Sequence, residues 1–146
     1  MKVRGYDKGT PVAIEVMEVS PGKYLQVDAA HAFIRMRDAA VKNSITLKLN
    51  SGWRNFAQQE RLYDEWHAKG EKGPRPARPG YSRHHMGLAA DIGRSHDDPD
   101  GAGPLQGPTD KWLQAHAGEY GFTATVTGEP WHWEYKENSD ANSESK

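Results

Sequence analysis

Ser82-Arg83-His84-His85-Met86-Gly87-Leu88-Ala89-Ala90-Asp91-Ile92 is the stretch on which the reading of the chain turns. From Met86 to Ile92 its composition is that of a strand, whose side chains alternate between two faces. Leu88, Ala90 and Ile92 then share an apolar face that can enter a core. Gly87, Ala89 and Asp91 share the other face, which is nearly bare except for the carboxylate. Such a face leaves space for a metal and a substrate backbone, and Gly87 lets the chain bend so that His84 returns toward Asp91. The same residues also describe an exposed Asp closing a strand beside two surface histidines. Spacing alone does not choose between the two.

Working outward, Pro11 to Val19 is β-branched and partly alternating and reads as a strand. Pro21-Gly22 makes a turn, and Tyr24 to Val27 a short return strand. Asp28 reads as the N-cap of a helix to Lys42, with Ala30, Phe33, Ile34, Met36, Ala40 and Val41 near helical spacing. Ile45 to Leu49 alternates as a strand with one buried face. After Ser51-Gly52-Trp53-Arg54, Asn55 can cap a second helix to about Lys69, with Phe56, Leu62, Tyr63 and Trp66 as its inward face. Gly70 to Tyr81 and Gly93 to Pro108 read as long loops, the first with three prolines. Thr109 is placed to cap a third helix through Tyr120, stopped by Gly121. Phe122 to Thr127 and Trp131 to Tyr135 read as closing strands. This order implies an α+β fold, with helices packed on a small, mostly antiparallel sheet. Residues 1–135 make a single domain in this reading, and the Ser/Asn/Glu-rich tail 136–146 is expected to be disordered.

Composition narrows the classes of function. The 146 residues suit one domain with one core. Only 36% are hydrophobic, but five Trp and six Tyr offset the thin aliphatic content. A net charge of -1 provides no global field for nucleic acid or an anionic membrane. No apolar run has the length of a signal peptide or a membrane span. The basic stretch Lys69 to Arg83 reads as a solvated loop, though its position before Ser82 puts it where it could border a cleft. Cysteine is absent, which excludes disulfides, thiolate nucleophiles and Cys-based zinc sites. Catalytic zinc takes three protein ligands and keeps a fourth position open, so here the ligands must be His and carboxylates.

A second constellation is Glu129-Pro130-Trp131-His132-Trp133-Glu134-Tyr135, an aromatic stretch with the character of a strand. Ideal strand parity puts Glu129 and His132 on opposite sides. Pro130 resolves this by holding Glu129 in a turn just before the strand. An edge strand with an exposed His fits the segment taken alone.

Taken together, Ser-x-His-x-x-Gly-x-Ala-x-Asp and the following Glu-Pro-Trp-His-Trp resemble the motifs of VanY-type D-alanyl-D-alanine carboxypeptidases and related zinc peptidases of peptidoglycan. Upstream, Ser51-Gly52-Trp53-Arg54 with Gln59 is similar to that family's Ser-Gly-Tyr-Arg segment and its downstream Gln. The likeness runs from about Asp28 to Tyr135 in the family's order. It implies one zinc ion in a central cleft held by His84, Asp91 and His132, with Glu129 as general base and Arg54 stabilising the oxyanion or orienting the carbonyl. It also places Ser82 and Gln59 near the substrate. Trp53 stands where Tyr is more usual and Asn55 where Ser is common, neither at the implied metal shell.

The expected activity is therefore zinc-dependent hydrolysis of peptidoglycan stem peptides, with D-alanyl-D-alanine carboxypeptidase first. An endopeptidase of the phage-lysin type and a non-catalytic zinc-binding module of the same fold are the alternatives. A His-metal nuclease would need phosphate-facing cations, which the near-neutral charge does not support. The protein is expected to act as a monomer, with stem peptides as partners and no nucleic acid. His85 reads as a neighbour of the site or a surface residue, and His31, His67 and His116 as structural or exposed. Asp97-Asp98-Pro99-Asp100-Gly101 lacks the spacing of a calcium loop and reads as a turn.

Overall fold

The computed structural model describes residues 1–73, 75–93, 107–126 and 129–136. The β-branched run expected as the first strand is the middle of three. Thr10–Ser20 (β2) pairs antiparallel with Lys2–Asp7 (β1) on one side and Lys23–Gln26 (β3) on the other. A second sheet has the order Lys48–Ser51 (β4), Ala89–Gly93 (β5), His132–Tyr135 (β7) and Phe122–Ala124 (β6), again antiparallel throughout. Three helices complete the described elements: Val27–Val41 (α1), Phe56–Ala68 (α2) and Gly107–His116 (α3). The architecture is α+β, as expected. No described helix is long and apolar enough to cross a membrane.

Helix α1 is the spine of the core. It packs closely on β2 and β3 of the first sheet, with its small residues Ala29, Ala30 and Ala32 fully buried, and Phe33 and Met36 reach into the shared core. Phe33 meets Phe122 edge to face at 6.3 Å. Ala90, Ile92 and Trp133 enter the same core from the second sheet, and Trp112, Leu113 and Ala117 close it from α3 and the turn after it.

Several boundaries differ from the sequence expectation, each for a local reason. The first helix starts before Asp28, because Gln26 accepts hydrogen bonds from the Asp28 and Ala29 amides and is the N-cap. Ile45 and Leu47 are buried but precede the strand, which begins at Lys48. Thr109 lies inside the first turn of α3, and the helix gives way after His116 to a 3₁₀ turn, Ala117–Tyr120. The strand expected from Met86 starts only at Ala89, because Arg83–Met86 form a 3₁₀ turn that Gly87 ends in the left-handed region at φ 72°. Strand β1 was not anticipated. The loop 94–106, with the Asp97–Gly101 turn, Thr127, and all of the tail beyond Lys136 lie outside the described residues.

The largest departure concerns α2. Asn55 does cap it, in a reciprocal capping box with Gln58. Its expected inward face does not enter the core, however. Phe56 and Leu62 are exposed, Tyr63 and Trp66 are partly exposed, and the helix's buried residue is the polar Gln59. Leu62 and Trp66 line a cleft instead.

Two backbone hydrogen bonds join the first sheet to the segments that carry the site, and a third joins those segments to each other. The Trp53 amide donates to the Tyr24 carbonyl at 2.6 Å, the Gln26 amide to Gly87 at 2.8 Å, and the Arg54 amide to His84 at 3.0 Å. Gly52 sits at this junction, where an added Cβ would collide with the Tyr24 carbonyl oxygen. Gly52→Ala is therefore expected to destabilise the protein by about 1–3 kcal/mol, read as a lowered urea midpoint at unchanged slope, and to weaken metal binding in parallel.

Candidate metal centre

Asp91 lies on the central strand β5 and is paired in register with His132, the first residue of β7. Sheet pairing thus brings two of the expected ligands side by side. His84 comes from a different element, the 3₁₀ turn, whose N-cap is Ser82: the Ser82 hydroxyl accepts from the His84 amide at 3.1 Å. The αL residue Gly87 closes that turn, and its amide donates to the His84 carbonyl.

The hydrogen bonds of each side chain define which atom faces inward. His84 Nδ1 donates to the Gly52 carbonyl at 2.7 Å, leaving Nε2 directed at Asp91 Oδ1, 3.4 Å away. His132 Nε2 meets Glu134 Oε2 at 2.9 Å, so its Nδ1 faces Asp91 Oδ1 at 3.2 Å. Ligand atoms of His84, Asp91 and His132 all lie within 4.8 Å of one another. For zinc bonds of about 2.0–2.1 Å a tetrahedral edge is about 3.3 Å, which the two Asp91-to-His separations match. Two imidazoles and a carboxylate are a donor set suited to zinc. The residues present fit the ion.

Around this trio the electrostatics are closely balanced. Burial works against ionisation of Asp91, but His84, His132 and Arg54 outweigh it and hold the carboxyl far below its usual range. Burial also lowers the pKa of His84, which favours the neutral ring. For His132 burial acts in the same sense, yet hydrogen bonds to Asp91 and Glu134 prevail and raise it to about 9. Glu134 is drawn down to about 2 by its hydrogen bond to His132, against burial and with help from Thr125 and Arg83.

Arg54 fixes the rim. It donates from Nε to Ser51 at 3.0 Å, to Gln59 at 3.1 Å and to Asp91 at 3.1 Å. Gln59, expected near the substrate, is buried with its amide between Arg54 and the Ala77 carbonyl, and does not line the cleft. Ser82 is buried as well and borders the cleft while capping the His84 turn. Glu129 stands in a turn closed by the His132 amide donating to its carbonyl at 3.0 Å, and its carboxylate lies 3.9 Å from His132 Nδ1. All of these except Gln59 open onto one cleft of about 670 Å³.

One residue near the site, Glu134, escaped the reading of the sequence, and a second, His85, was read only in part. Glu134 follows His132 by two positions on a strand, and that parity was the available signal. His85, read as a neighbour or surface residue, is completely buried. Its Nδ1 donates to the Arg54 carbonyl and its Nε2 accepts from the Gly80 amide, while Tyr6 and Phe56 pack on the ring. That pattern demands the neutral tautomer and ties the Arg54 segment to the loop before Ser82.

Residues 22–138 match the family described as VanY, D-alanyl-D-alanine carboxypeptidase. A D-alanyl-D-alanine carboxypeptidase of Enterococcus faecium is 35% identical over 123 residues, covering 77% of this chain and 37% of the relative. Among solved structures, VanYB in complex with D-alanine-D-alanine superposes with a TM-score of 0.74 at 24% identity, covering 94% of this chain and 87% of that one. A VanY D,D-pentapeptidase mutant in complex with Zn(II) gives 0.69 at 24% identity, covering 91% and 85%. Likeness at that identity establishes the fold. The chain spans 37–52% of the length of the curated relatives it matches.

The hydrogen bonds of His132 lead to a linked pair of expectations. Its raised pKa means that in the metal-free protein it contributes stability in full below about pH 6.5, which is lost as pH rises through about 9. A metal ligand must be deprotonated. Zinc added at pH 7 is therefore expected to release about one proton, seen as buffer-dependent calorimetric heat, with apparent affinity rising about tenfold per pH unit up to about 9. Removing the carboxylate that orients the ring, by Glu134→Gln, is expected to weaken zinc binding by about 10–100-fold in a chelator competition.

Proposed function

The chain belongs to the VanY family of D-alanyl-D-alanine carboxypeptidases, and from that premise we propose that it is a zinc peptidase removing the terminal D-alanine of peptidoglycan stem peptides. The observation that carries the reading is the convergence of His84, Asp91 and His132 at one end of a cleft that also holds Glu129 and Arg54. The names of relatives point the same way: an enterococcal D-alanyl-D-alanine carboxypeptidase, and neighbours solved with D-alanine-D-alanine and with Zn(II).

Zinc held by the trio supplies a Lewis acid for the scissile carbonyl and for water. The remaining work falls to the chain's own residues. Glu129 lies against the trio but farther from it than the trio's members are from one another's carboxylate, which leaves its oxygens for proton transfer. It accepts a proton from the attacking water and returns it to the departing amine nitrogen. Arg54 has five N–H donors, three of which are engaged by Ser51, Gln59 and Asp91. The others can meet negative charge developing on the carbonyl oxygen or the substrate's terminal carboxylate. Gln59 and Asp91 hold the guanidinium so that it need not reorganise during the reaction.

Mass spectrometry of a purified muropeptide ending in D-Ala-D-Ala tests the reading directly. Loss of one alanine is expected with zinc-loaded protein and not with a chelated control. An intact muropeptide, with cleavage of cross-linked muropeptides instead, would make the protein an endopeptidase. Glu129→Ala is expected to keep zinc bound and to lower turnover by about 10²–10⁴-fold, whereas loss of zinc from that variant would make Glu129 a ligand.

A further inference from the structure

The two ends of the cleft are charged differently. At the metal end each cation lining it has a carboxylate partner: Arg54 with Asp91 at 3.1 Å, and Arg83 with Glu134 at 3.2 Å. The outer wall carries Lys69, Lys72 and Arg75. Among the described residues none of these three has a carboxylate within ion-pair distance. Glu71, between them in sequence, is turned to His67 at 2.8 Å. Glu65 is the acidic residue on that wall and takes part in no ion pair among the described residues.

The loop that carries these cations is also held in place, and Arg75 is held with it. The Glu71 amide donates to the Trp66 carbonyl at 2.9 Å, and the Trp66 indole donates to the Gly73 carbonyl at 3.3 Å, folding the loop back onto α2. Arg75 donates to the Tyr63 hydroxyl at 3.2 Å, with its guanidinium 5.6 Å from the centre of the Trp66 ring. Farther along, Gln59 anchors the same loop through Ala77. A solvated loop would need none of these ties.

Position along the helix says which part of a substrate could reach the wall. Gln59 touches Arg54; Tyr63, which Arg75 meets, follows four residues later, about 6 Å along the helix axis, and Lys69, at the far end of the wall, ten residues later, about 15 Å. At about 3.3–3.6 Å per extended residue, the longer separation is about four peptide residues. A terminal carboxylate one residue beyond the scissile bond falls far short of it. Resting on the peptidase reading, we propose that Trp66, Lys69, Lys72 and Arg75 form a specificity subsite for a free carboxylate on the part of the peptide that precedes the scissile bond. The subsite distinguishes an acidic stem from one whose carboxyl is amidated.

The test uses two synthetic peptides ending in D-Ala-D-Ala and identical except at an acidic residue about three positions before the scissile bond, free in one and amidated in the other. With zinc-loaded protein at low ionic strength, kcat/KM is expected to favour the free acid by about three- to tenfold, mainly through KM, and less so as salt is added. In the triple variant Lys69→Gln, Lys72→Gln, Arg75→Gln the ratio is expected to fall to about one. Equal rates for the two peptides in the unaltered protein, or a ratio kept in the variant, overturn the inference. If neither peptide is cut, the carboxypeptidase reading fails by itself, and calorimetric binding of the same peptides decides the subsite. Preference for the acid that the variant loses then upholds it, and equal affinities overturn it.

Discussion

A carboxylate set into the middle of a sheet is the constraint on which the rest of the site depends. The Asp91 side chain is only 13% exposed, and an ionised carboxylate in such a place is costly unless it is paired and hydrogen-bonded. The chain meets that requirement from three directions: His132 across the β5–β7 pairing, His84 from a 3₁₀ turn, and Arg54 from the end of β4. Each of these is held in turn by a further group. Glu134 holds His132, the Gly52 carbonyl holds His84, and Gln59 and Ser51 hold Arg54. The same preorganisation that satisfies a buried charge also presents three ligand atoms to one point, so stability without metal and readiness for metal share a cause.

That coupling explains why the small first sheet matters to a site it does not contain. Its last strand supplies Tyr24 and Gln26, whose backbone groups bond to Trp53 and Gly87. Those bonds bring the Gly52–Arg54 turn and the His84 turn together, and His85 adds a second link through the Arg54 carbonyl and the Gly80 amide. His85 is neutral for geometric reasons, since one ring nitrogen donates and the other accepts. Adjacent histidines thus divide the work: one points into the cleft, and the other bonds the loops behind it.

How much of this was legible in the sequence depends on whether the cause was local. Strand parity put Ala90 and Ile92 in the core and Asp91 on the open face, and the turn at Pro130 accounted for Glu129 standing beside His132 despite the spacing. The α+β class also followed from pattern, but the division of the strands into two sheets did not. The position of His84 on a 3₁₀ turn did not, because Ser82 capping and the αL conformation of Gly87 become meaningful only once the chain has doubled back. Strand β1 has little apolar alternation and exists through its pairing with β2. For α2, amphipathicity was read as a core-facing stripe. The physical mistake was to assume that an apolar face always seeks the core: Leu62 and Trp66 face a cleft, and the residue most deeply buried is Gln59, whose partners are distant in sequence.

The misread helix is also what gives the cleft its length. Had α2 packed its aromatic face into the core, the basic segment after it would have been an unattached loop, as composition suggested. With Gln59 as the buried contact, the helix stands along the cleft instead, and its C-terminal end carries Trp66 and Lys69 outward from the ligands. The cations near Asp91 are each bonded to a carboxylate of the cleft. Those on the outer wall have no such partner among the described residues. A net charge of -1 over the whole chain conceals this separation, because field strength in a cleft depends on which charges remain uncompensated there, not on their sum over the molecule.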